Sequence, residues 1–232
     1  MKGSRRALVT RLLGPLAGPL RDLLDRARGQ GGKDLEIQDR AAVEERFELP
    51  DLSPLEQTVT GTTGVSGMAG HALFLYNLVV SVRARLVVEI GVGPGDSTSV
   101  FLLALSRTDG RLVSIDIFPQ PVAAAKVDRL GLRDRWEFLL EGSEAAARHW
   151  PPGRPIDVLL IDGKHSYNQV ELEYRLYRPL MRPGGFILFH DSETIRGVRD
   201  FVREIARREG GVQFPFCNGL FVTRVGDARG GR

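Results

Sequence analysis

The chain of 232 residues has few of the residues that form covalent or metal cross-links. Its single cysteine, Cys217, cannot make an internal disulfide. With four histidines and one cysteine, it also lacks the Cys/His spacing of a structural zinc site. A chain of this length buries enough surface to fold without such links. We therefore expect a cytoplasmic protein, because the cytoplasm keeps thiols reduced.

Long hydrophobic runs are also lacking. No stretch of about 18 consecutive apolar residues occurs, so we expect no membrane-spanning helix. The apolar start of the chain is interrupted by Arg11 and is not followed by a convincing small-residue cleavage site. We therefore do not expect it to act as an export signal.

The net charge of +3 is small, and its excess lies at the N-terminus. Residues 1–32 carry seven basic and two acidic side chains, a net charge of +5, which leaves −2 for residues 33–232. The larger part is thus near neutral, which argues against nucleic-acid binding. Because the basic segment is rich in leucine, it predicts contact with an anionic membrane surface. Packing of these leucines on the rest of the protein or across a homodimer interface is the alternative.

Three regions follow from the pattern along the chain. Residues 1–32 are the basic amphipathic segment, and Pro15 and Pro19 interrupt its helical periodicity. Residues 33–84 are expected to form a cap of loops and helix, with a Gly- and Thr-rich loop at Gly61–Gly70 and a helix over His71–Val82. Residues 85–232 carry the regular alternation of a single catalytic domain.

The third region alternates short Val/Ile/Leu runs with helical segments. The predicted strands are Leu86–Ile90, Arg111–Ile115, Trp136–Leu140, Asp157–Ile161, Phe186–Phe189, Val212–Phe216 and Leu220–Val225. The predicted helices are Ser97–Ser106, Pro121–Leu130, Ser143–His149, Tyr167–Met181 and Ile195–Glu209. Continuous apolar runs are typical of parallel strands buried on both faces, whereas Asn218-Gly219 predicts a hairpin. The fold class is therefore α/β: a Rossmann-like, doubly wound, seven-stranded, mostly parallel sheet with a C-terminal antiparallel hairpin and an N-terminal helical extension.

A glycine-rich turn follows the first predicted strand. Gly91, Gly93 and Gly95 lead into a helix that begins near Ser97. Free N–H groups at such a helix start suit either a pyrophosphate or an amino-acid carboxylate. A dinucleotide fingerprint would need its third glycine at Asp96, where a carboxylate would instead face the pyrophosphate. The order E-x-G-x-G-x-G, with Glu89 at the strand end, resembles motif I of Rossmann-like methyltransferases, in which S-adenosylmethionine binds.

Glu89 itself has two predicted roles at this turn. It can receive the ammonium group of the cofactor, or it can orient the loop by accepting bonds from the loop N–H groups.

The next two strands end in further candidates for cofactor binding. Asp116, 25 residues after Gly91, can accept hydrogen bonds from both ribose hydroxyls. Ile117 is then placed to pack on the adenine face. In the methyltransferases that this chain resembles, the turn after the third strand contacts adenine, which makes Ser143 the candidate there.

The fourth and fifth strands end in acids and imidazoles. Asp162 and His165 follow the fourth strand, and His190 and Asp191 follow the fifth. Because the carboxyl ends of neighbouring parallel strands share one edge of the sheet, these groups are expected to converge. Two carboxylates favour Mg²⁺, and an added imidazole would admit Mn²⁺ or Fe²⁺.

The segments IDGKHSY and RPGGFILFHD resemble methyltransferase family 24, whose relatives include metal-dependent catechol and macrolide-sugar O-methyltransferases. The resemblance covers about residues 60–225. It implies that Asp162 and Asp191 hold a divalent cation. Ser192 stands where these relatives have a third ligand, Asn, so His190 is the substitute. It also implies that His165, at the place of a catalytic lysine, is the general base, with Asp162 in the same catalytic site and near the cofactor.

The predicted function is a metal-assisted O-methyltransferase that acts on a hydroxyl of a small molecule or sugar. Three alternatives remain: a nicotinamide-dependent oxidoreductase, a hydroxylase-like relative on the same fold, and a non-catalytic protein that binds S-adenosylmethionine. Asp96 argues against the first, and the residues Asp162, His165 and Asp191 argue against the last. A homodimer is common in such relatives.

Overall fold

The computed structural model describes residues 67–226, which belong to one compact unit. The basic segment 1–32, most of the cap region 33–84 and the first six residues of the Gly- and Thr-rich loop lie outside the described residues. Their boundaries and roles therefore stay predictions. No helix within residues 67–226 is both long enough and apolar enough to cross a membrane.

Six α-helices and seven strands alternate along the described chain. The strands are β1 (Leu86–Ile90), β2 (Arg111–Asp116), β3 (Trp136–Leu140), β4 (Ile156–Ile161), β5 (Met181–His190), β6 (Val212–Phe214) and β7 (Leu220–Arg224). The helices are α1 (Ala72–Ser81), α2 (Asp96–Thr108), α3 (Pro121–Leu130), α4 (Ser143–Arg148), α5 (Tyr167–Tyr177) and α6 (Arg196–Glu209). Short 3₁₀ turns occupy Gly67–His71, Arg133–Arg135 and Arg178–Leu180.

The seven strands form one sheet in the order β3-β2-β1-β4-β5-β7-β6. Strands β1 to β5 are parallel, and β7 lies antiparallel between β5 and β6. This confirms the Rossmann-like sheet with its terminal hairpin. The chain winds outward from β1 through β2 to β3 and then resumes at β4 on the other side of β1. A crevice therefore opens between the ends of β1 and β4, where ligands of such sheets bind.

Two apolar layers cover the two faces of the sheet. Val87, Leu112 and Leu160 face the layer that holds α1 and α2, whose buried side chains include Leu75 and Phe101. Their neighbours along the strands face the opposite layer, which includes buried residues of α5 and α6. Because successive side chains of a strand point to opposite faces, burial on both sides explains the continuous apolar runs.

Prolines move two of the predicted element boundaries. Helix α5 ends at Tyr177 rather than Met181, since Pro179 has no N–H to donate to the helix. Met181 instead begins β5, which is longer than predicted. Pro215 likewise follows the last residue of β6, which ends at Phe214. The last four residues of the loop predicted at Gly61–Gly70 form part of a 3₁₀ turn.

Candidate active site

A cavity of about 700 Å³ opens at the carboxyl ends of the central strands. Most of the predicted site residues line it, namely Gly91, Gly93, Ser97, Asp116, Ile117, Ser143, Asp162, His165, His190 and Asp191. Among the described residues, the predicted pair Glu89 and Gly95 lies outside this lining. Glu173, which the sequence analysis did not single out, lines the cavity as well.

The glycine-rich turn after β1 depends on backbone that side chains rarely adopt. Gly91, Gly93 and Gly95 have φ values of +86°, +51° and +80°. A Cβ on Gly91 would lie 2.2 Å from the carbonyl oxygen of Asp162, so the turn touches the end of β4 directly. A Cβ on Gly95 would lie 2.5 Å from that of Ala123. Gly95 therefore permits close packing of α2 on α3 rather than facing the cavity.

Glu89 stabilises this turn from the side that faces away from the cavity. Its side chain is fully buried and accepts hydrogen bonds from the hydroxyls of Ser97, Thr98 and Ser114, the last two at 2.7 and 2.8 Å. Burial raises the pKa of Glu89 to about 7, although the three hydroxyl bonds oppose the rise. The partners are hydroxyls, not the loop N–H groups or cofactor ammonium that the sequence suggested. Glu89 thus fastens the start of α2 to β1 and β2.

Asp116 lies at the end of β2 with both carboxylate oxygens engaged. Oδ2 accepts from the backbone N–H of Val92 and from Gln120 Nε2, each at 3.0 Å. Oδ1 accepts from the N–H of Phe118, also at 3.0 Å. The side chain is therefore held in place, and Oδ1 retains a lone pair for a further donor. Ile117 beside it is 63% exposed and lines the cavity.

Ser143, at the start of α4, is held by side chains from one stripe of α5. Its hydroxyl donates to Glu173 Oε1 at 2.8 Å, and its carbonyl accepts from Tyr177 Oη at 2.8 Å. Gln169 Nε2 donates to the same Glu173 oxygen at 3.0 Å. Residues 169, 173 and 177 are spaced four apart and therefore share a helix face. Glu173 lies among the regularly spaced buried positions of α5, and an acidic residue at such a position is the sequence signal that could have identified it.

The four groups predicted to converge at the ends of β4 and β5 do so, and we call them the acid–imidazole cluster: Asp162, His165, His190 and Asp191. His165 Nε2 lies 3.2 Å from Asp162 Oδ1 and 3.1 Å from Asp191 Oδ2. His190 Nδ1 lies 3.0 Å from Asp162 Oδ1 and 3.6 Å from Asp191 Oδ1. Each imidazole therefore contacts both carboxylates.

The charges of the cluster reinforce one another. Burial would raise the pKa of Asp162, but the hydrogen bonds and charges of the two histidines outweigh it and lower that pKa. The bond to Asp162 raises the pKa of His165. Burial opposes a charged His190, yet Asp162 and Asp191 together raise its pKa. The cluster therefore favours an ionised Asp162 carboxylate.

The cluster also has the ligand set of a cation site. Within the described part of the chain, ligand atoms of Asp162, His165 and Asp191 all lie within 4.8 Å of one another. Asp191 Oδ1 and His190 Nε2 are buried and have no hydrogen-bond partner among residues 67–226. Asp191 has a φ of +58°, an unfavourable value for a non-glycine residue. Ser192 Oγ accepts a hydrogen bond from Gln213 Nε2 at 2.8 Å, which ties it to β6.

The sequence of the central part of the chain matches a known family. Residues 88–192 match the model of methyltransferase family 24, described as a methyltransferase domain. Over these residues the chain is similar to a methyltransferase domain. A relative, the uncharacterized protein y4gI of Sinorhizobium fredii, is 32% identical over 164 residues, which are 65% of this chain and 18% of that protein. The chain thus spans less than a fifth of the relative's length.

Solved structures with the same fold include O-methyltransferases. The chain superposes on the O-methyltransferase of Bacillus cereus in complex with SAH, with a TM-score of 0.60, 21% identity and coverage of 79% of this chain and 96% of the other. For TomG of Streptomyces achromogenes in complex with SAM, the TM-score is 0.62, with 19% identity and coverage of 80% and 95%. At these identities the likeness establishes the fold.

Proposed function

We propose that this protein transfers a methyl group from S-adenosylmethionine to a hydroxyl of a small molecule or sugar, with help from a divalent cation such as Mg²⁺. The observation that carries the proposal is that one cavity joins the glycine-rich turn and Asp116 to the acid–imidazole cluster. A donor site and a proton-removing site must be adjacent for methyl transfer, since the barrier falls chiefly through positioning of the reactants.

The residues present fit S-adenosylmethionine. The turn after β1 and the start of α2 line the cavity, and the N–H groups of a helix start suit the methionine carboxylate; Ser97 lies there. Asp116 suits the ribose hydroxyls, and Ile117 suits the adenine face. A nicotinamide dinucleotide fits less well, because the buried Asp96 lines the same cavity where a pyrophosphate would lie.

The residues also fit a divalent cation. Two carboxylates meet at the end of the cavity, and one oxygen of Asp191 is buried without a hydrogen-bond partner in the described part of the chain. Asp162 and Asp191 would hold the cation with His190, whose side chain is only 7% exposed. When bound, the cation would lower the pKa of the acceptor hydroxyl.

His165 is the proposed general base. Its side chain is 34% exposed, far more than that of His190, and it lines the cavity. A proton taken up at Nε2 would remain paired with Asp191 Oδ2, 3.1 Å away. The raised pKa of His165, caused first by its bond to Asp162, stabilises the protonated ring. The deprotonated acceptor oxygen would then attack the methyl carbon in line with its bond to sulfur, so that the O–CH₃ bond forms as the S–CH₃ bond breaks and S-adenosylhomocysteine leaves.

Binding measurements test the donor and the cation separately. Calorimetry should detect S-adenosylhomocysteine and not NAD⁺. Electron paramagnetic resonance titration with Mn²⁺ should detect a site that Asp162→Asn and Asp191→Asn each weaken by at least about 10-fold. The matched control is Asp134→Asn, an equal charge change at an exposed 3₁₀ turn. Binding of NAD⁺ alone would refute the donor, and Mn²⁺ affinity equal in all variants would refute the cation site.

A second pair of variants separates the two imidazoles. His190→Ala should weaken Mn²⁺ binding, whereas His165→Ala should retain it and lose methyl transfer. If His165→Ala abolishes Mn²⁺ binding and His190→Ala does not, the two assignments must be exchanged.

A further inference from the structure

We propose that Glu173 recognises the amino edge of adenine in the cofactor, so that the protein selects a 6-aminopurine. This inference rests on the proposed function, because it concerns the adenosyl end of the same cavity. It adds a specificity-determining residue on α5, a helix that contributes none of the cofactor contacts predicted from the sequence.

Glu173 is a buried acid with an unused acceptor. The residue is 2% exposed, yet it lines the cavity. Oε1 accepts bonds from Ser143 and Gln169, whereas Oε2 is buried and has no hydrogen-bond partner among the described residues. A buried carboxylate oxygen without a donor is costly, so a donor supplied by a ligand would offset that cost.

A purely structural role explains only one of the two oxygens of the Glu173 carboxylate. Holding the Ser143 hydroxyl needs one acceptor oxygen, which a neutral glutamine could also supply without the cost of burying a charge. Tyr177 already fixes the Ser143 carbonyl from the same helix. The second oxygen therefore lacks a function within residues 67–226, and burial raises the pKa of the group it belongs to.

The position of Glu173 matches the adenine end of the cavity. Gly142 and Ser143 line the cavity beside it, and Asp116 and Ile117 line it at the end of β2. A Cβ on Gly163 would lie 3.7 Å from Glu173 Oε1, so the carboxylate lies next to the loop after β4. A nucleoside whose ribose is held by Asp116 would extend its base along this wall toward Ser143 and Glu173.

The chemistry of the carboxylate selects between purines. Adenine presents two N6–H donors, and the carboxylate oxygen is an acceptor. Hypoxanthine presents the carbonyl O6 in place of the amino group, so two acceptor oxygens would face each other at Glu173 Oε2. A site built for a donor rejects the analogue that lacks it.

Affinity ratios measured by calorimetry test the proposal. Wild type should bind S-adenosylhomocysteine at least about 10-fold more tightly than S-inosylhomocysteine, since a lost bond to a charged group costs at least this factor. In Glu173→Gln the ratio should fall toward one, because the amide can donate to O6. Glu171→Gln, the same charge change two residues away on α5, should retain the wild-type ratio. A purely structural role would weaken both ligands equally and leave the ratio unchanged.

A second analogue keeps the test independent of folding in the variant. The purine analogue of S-adenosylhomocysteine without any 6-substituent removes the N6 donors and adds no bulk. Wild type should bind it at least about 10-fold more weakly than the parent compound. Equal affinity for this analogue, or an unchanged inosine ratio in folded Glu173→Gln, would overturn the role of Glu173 while leaving the proposed function intact. Failure of wild type to bind S-adenosylhomocysteine at all would overturn both.

Discussion

The cofactor side of the cavity and the acid–imidazole cluster are built in different ways. On the cofactor side, both oxygens of Glu89 and both oxygens of Asp116 accept hydrogen bonds from the protein. In the acid–imidazole cluster, Asp191 Oδ1 and His190 Nε2 are buried without a hydrogen-bond partner in the described part of the chain. Asp191 also has an unfavourable positive φ.

This difference indicates that Glu89 and Asp116 form a framework, whereas the acid–imidazole cluster is a site that needs a ligand. Carboxylates whose bonds are all made by the protein hold the backbone turn in one shape before any ligand arrives. Unsatisfied buried atoms raise the energy of the free protein and are tolerated where a ligand completes them. Two acids that line the cofactor side depart from this pattern, because Asp96 and Glu173 each have one buried oxygen without a hydrogen-bond partner in the described part of the chain. Asp96 pairs with Lys126 through its other oxygen, whereas no ion pair of Glu173 occurs among the described residues, so the unused oxygen of Glu173 points to a ligand.

Gly91 joins the two sides, so its substitution should have the largest effect. In Gly91→Ala the new Cβ would lie 2.2 Å from the carbonyl oxygen of Asp162, and φ would remain at +86°. We expect a loss of more than about 3 kcal/mol in the free energy of unfolding, from strain and displacement of β4 together.

The matched control for this prediction is Gly93→Ala. Gly93 also has a positive φ, but a Cβ there would meet no described atom within 4 Å. It should cost about 1 kcal/mol, from backbone strain alone. Urea unfolding of the ligand-free proteins measures both. Equal losses would show that the contact between the turn and β4 contributes nothing.

The framework was more predictable from sequence than the contacts within the site. Strands β1 and β3 have the predicted bounds, and burial of all five residues of β1 explains its nearly continuous apolar pattern. Convergence of Asp162, His165, His190 and Asp191 followed from parallel strands that end at one edge. The hydroxyl partners of Glu89 and the place of Glu173 did not follow, because they depend on packing between elements that no local pattern encodes.

The buried side chain of Glu89 should make the free energy of unfolding depend on pH. Its pKa of about 7 lies above 4.5, the ordinary pKa of a glutamate side chain. The folded state therefore binds the proton more tightly than the unfolded state does. The resulting stability is fully present below pH 4.5 and is lost as the pH rises to about 7, up to about 3 kcal/mol. Glu89→Gln cannot ionise and should lack this slope.

Urea unfolding of Glu89→Gln and wild type at pH 4.5 and pH 7.5 measures the difference. The stability of the variant relative to wild type should rise over this range. A constant difference would mean that Glu89 has the same pKa in the folded and the unfolded protein, and that the hydroxyls of Ser97, Thr98 and Ser114 fully offset its burial.

Asp116 should have a smaller effect, confined to cofactor affinity. Asp116→Ala removes the acceptors proposed for the two ribose hydroxyls and should weaken S-adenosylhomocysteine by about 1.5–3 kcal/mol, the range for bonds to a charged group. Gln120→Ala removes only one donor to Asp116 and should cost about 0.5–1.5 kcal/mol or less. Calorimetry gives both values. Unchanged affinity in a folded Asp116→Ala variant would remove Asp116 from the cofactor site.

The smallest effect on catalysis should come from removal of the basic segment 1–32. Both the framework and the acid–imidazole cluster consist of residues within 67–226, so a chain that begins at Lys33 should bind S-adenosylhomocysteine and Mn²⁺ as the full chain does. The segment instead combines a net charge of +5 with leucines, the composition of a peptide that binds an anionic interface. The leucines are Leu8, Leu12, Leu13, Leu16, Leu20, Leu23 and Leu24.

Sedimentation with anionic liposomes at low salt distinguishes the roles of this segment. The full chain should sediment with the vesicles and the chain beginning at Lys33 should not, because most of the attraction comes from the basic residues and is screened by salt. If both chains stay in the supernatant, the membrane proposal is wrong. If the shorter chain also loses ligand affinity or becomes insoluble, the leucines pack on the protein itself. Residues 1–32 would then be a third region, which stabilises both the cofactor side of the cavity and the acid–imidazole cluster.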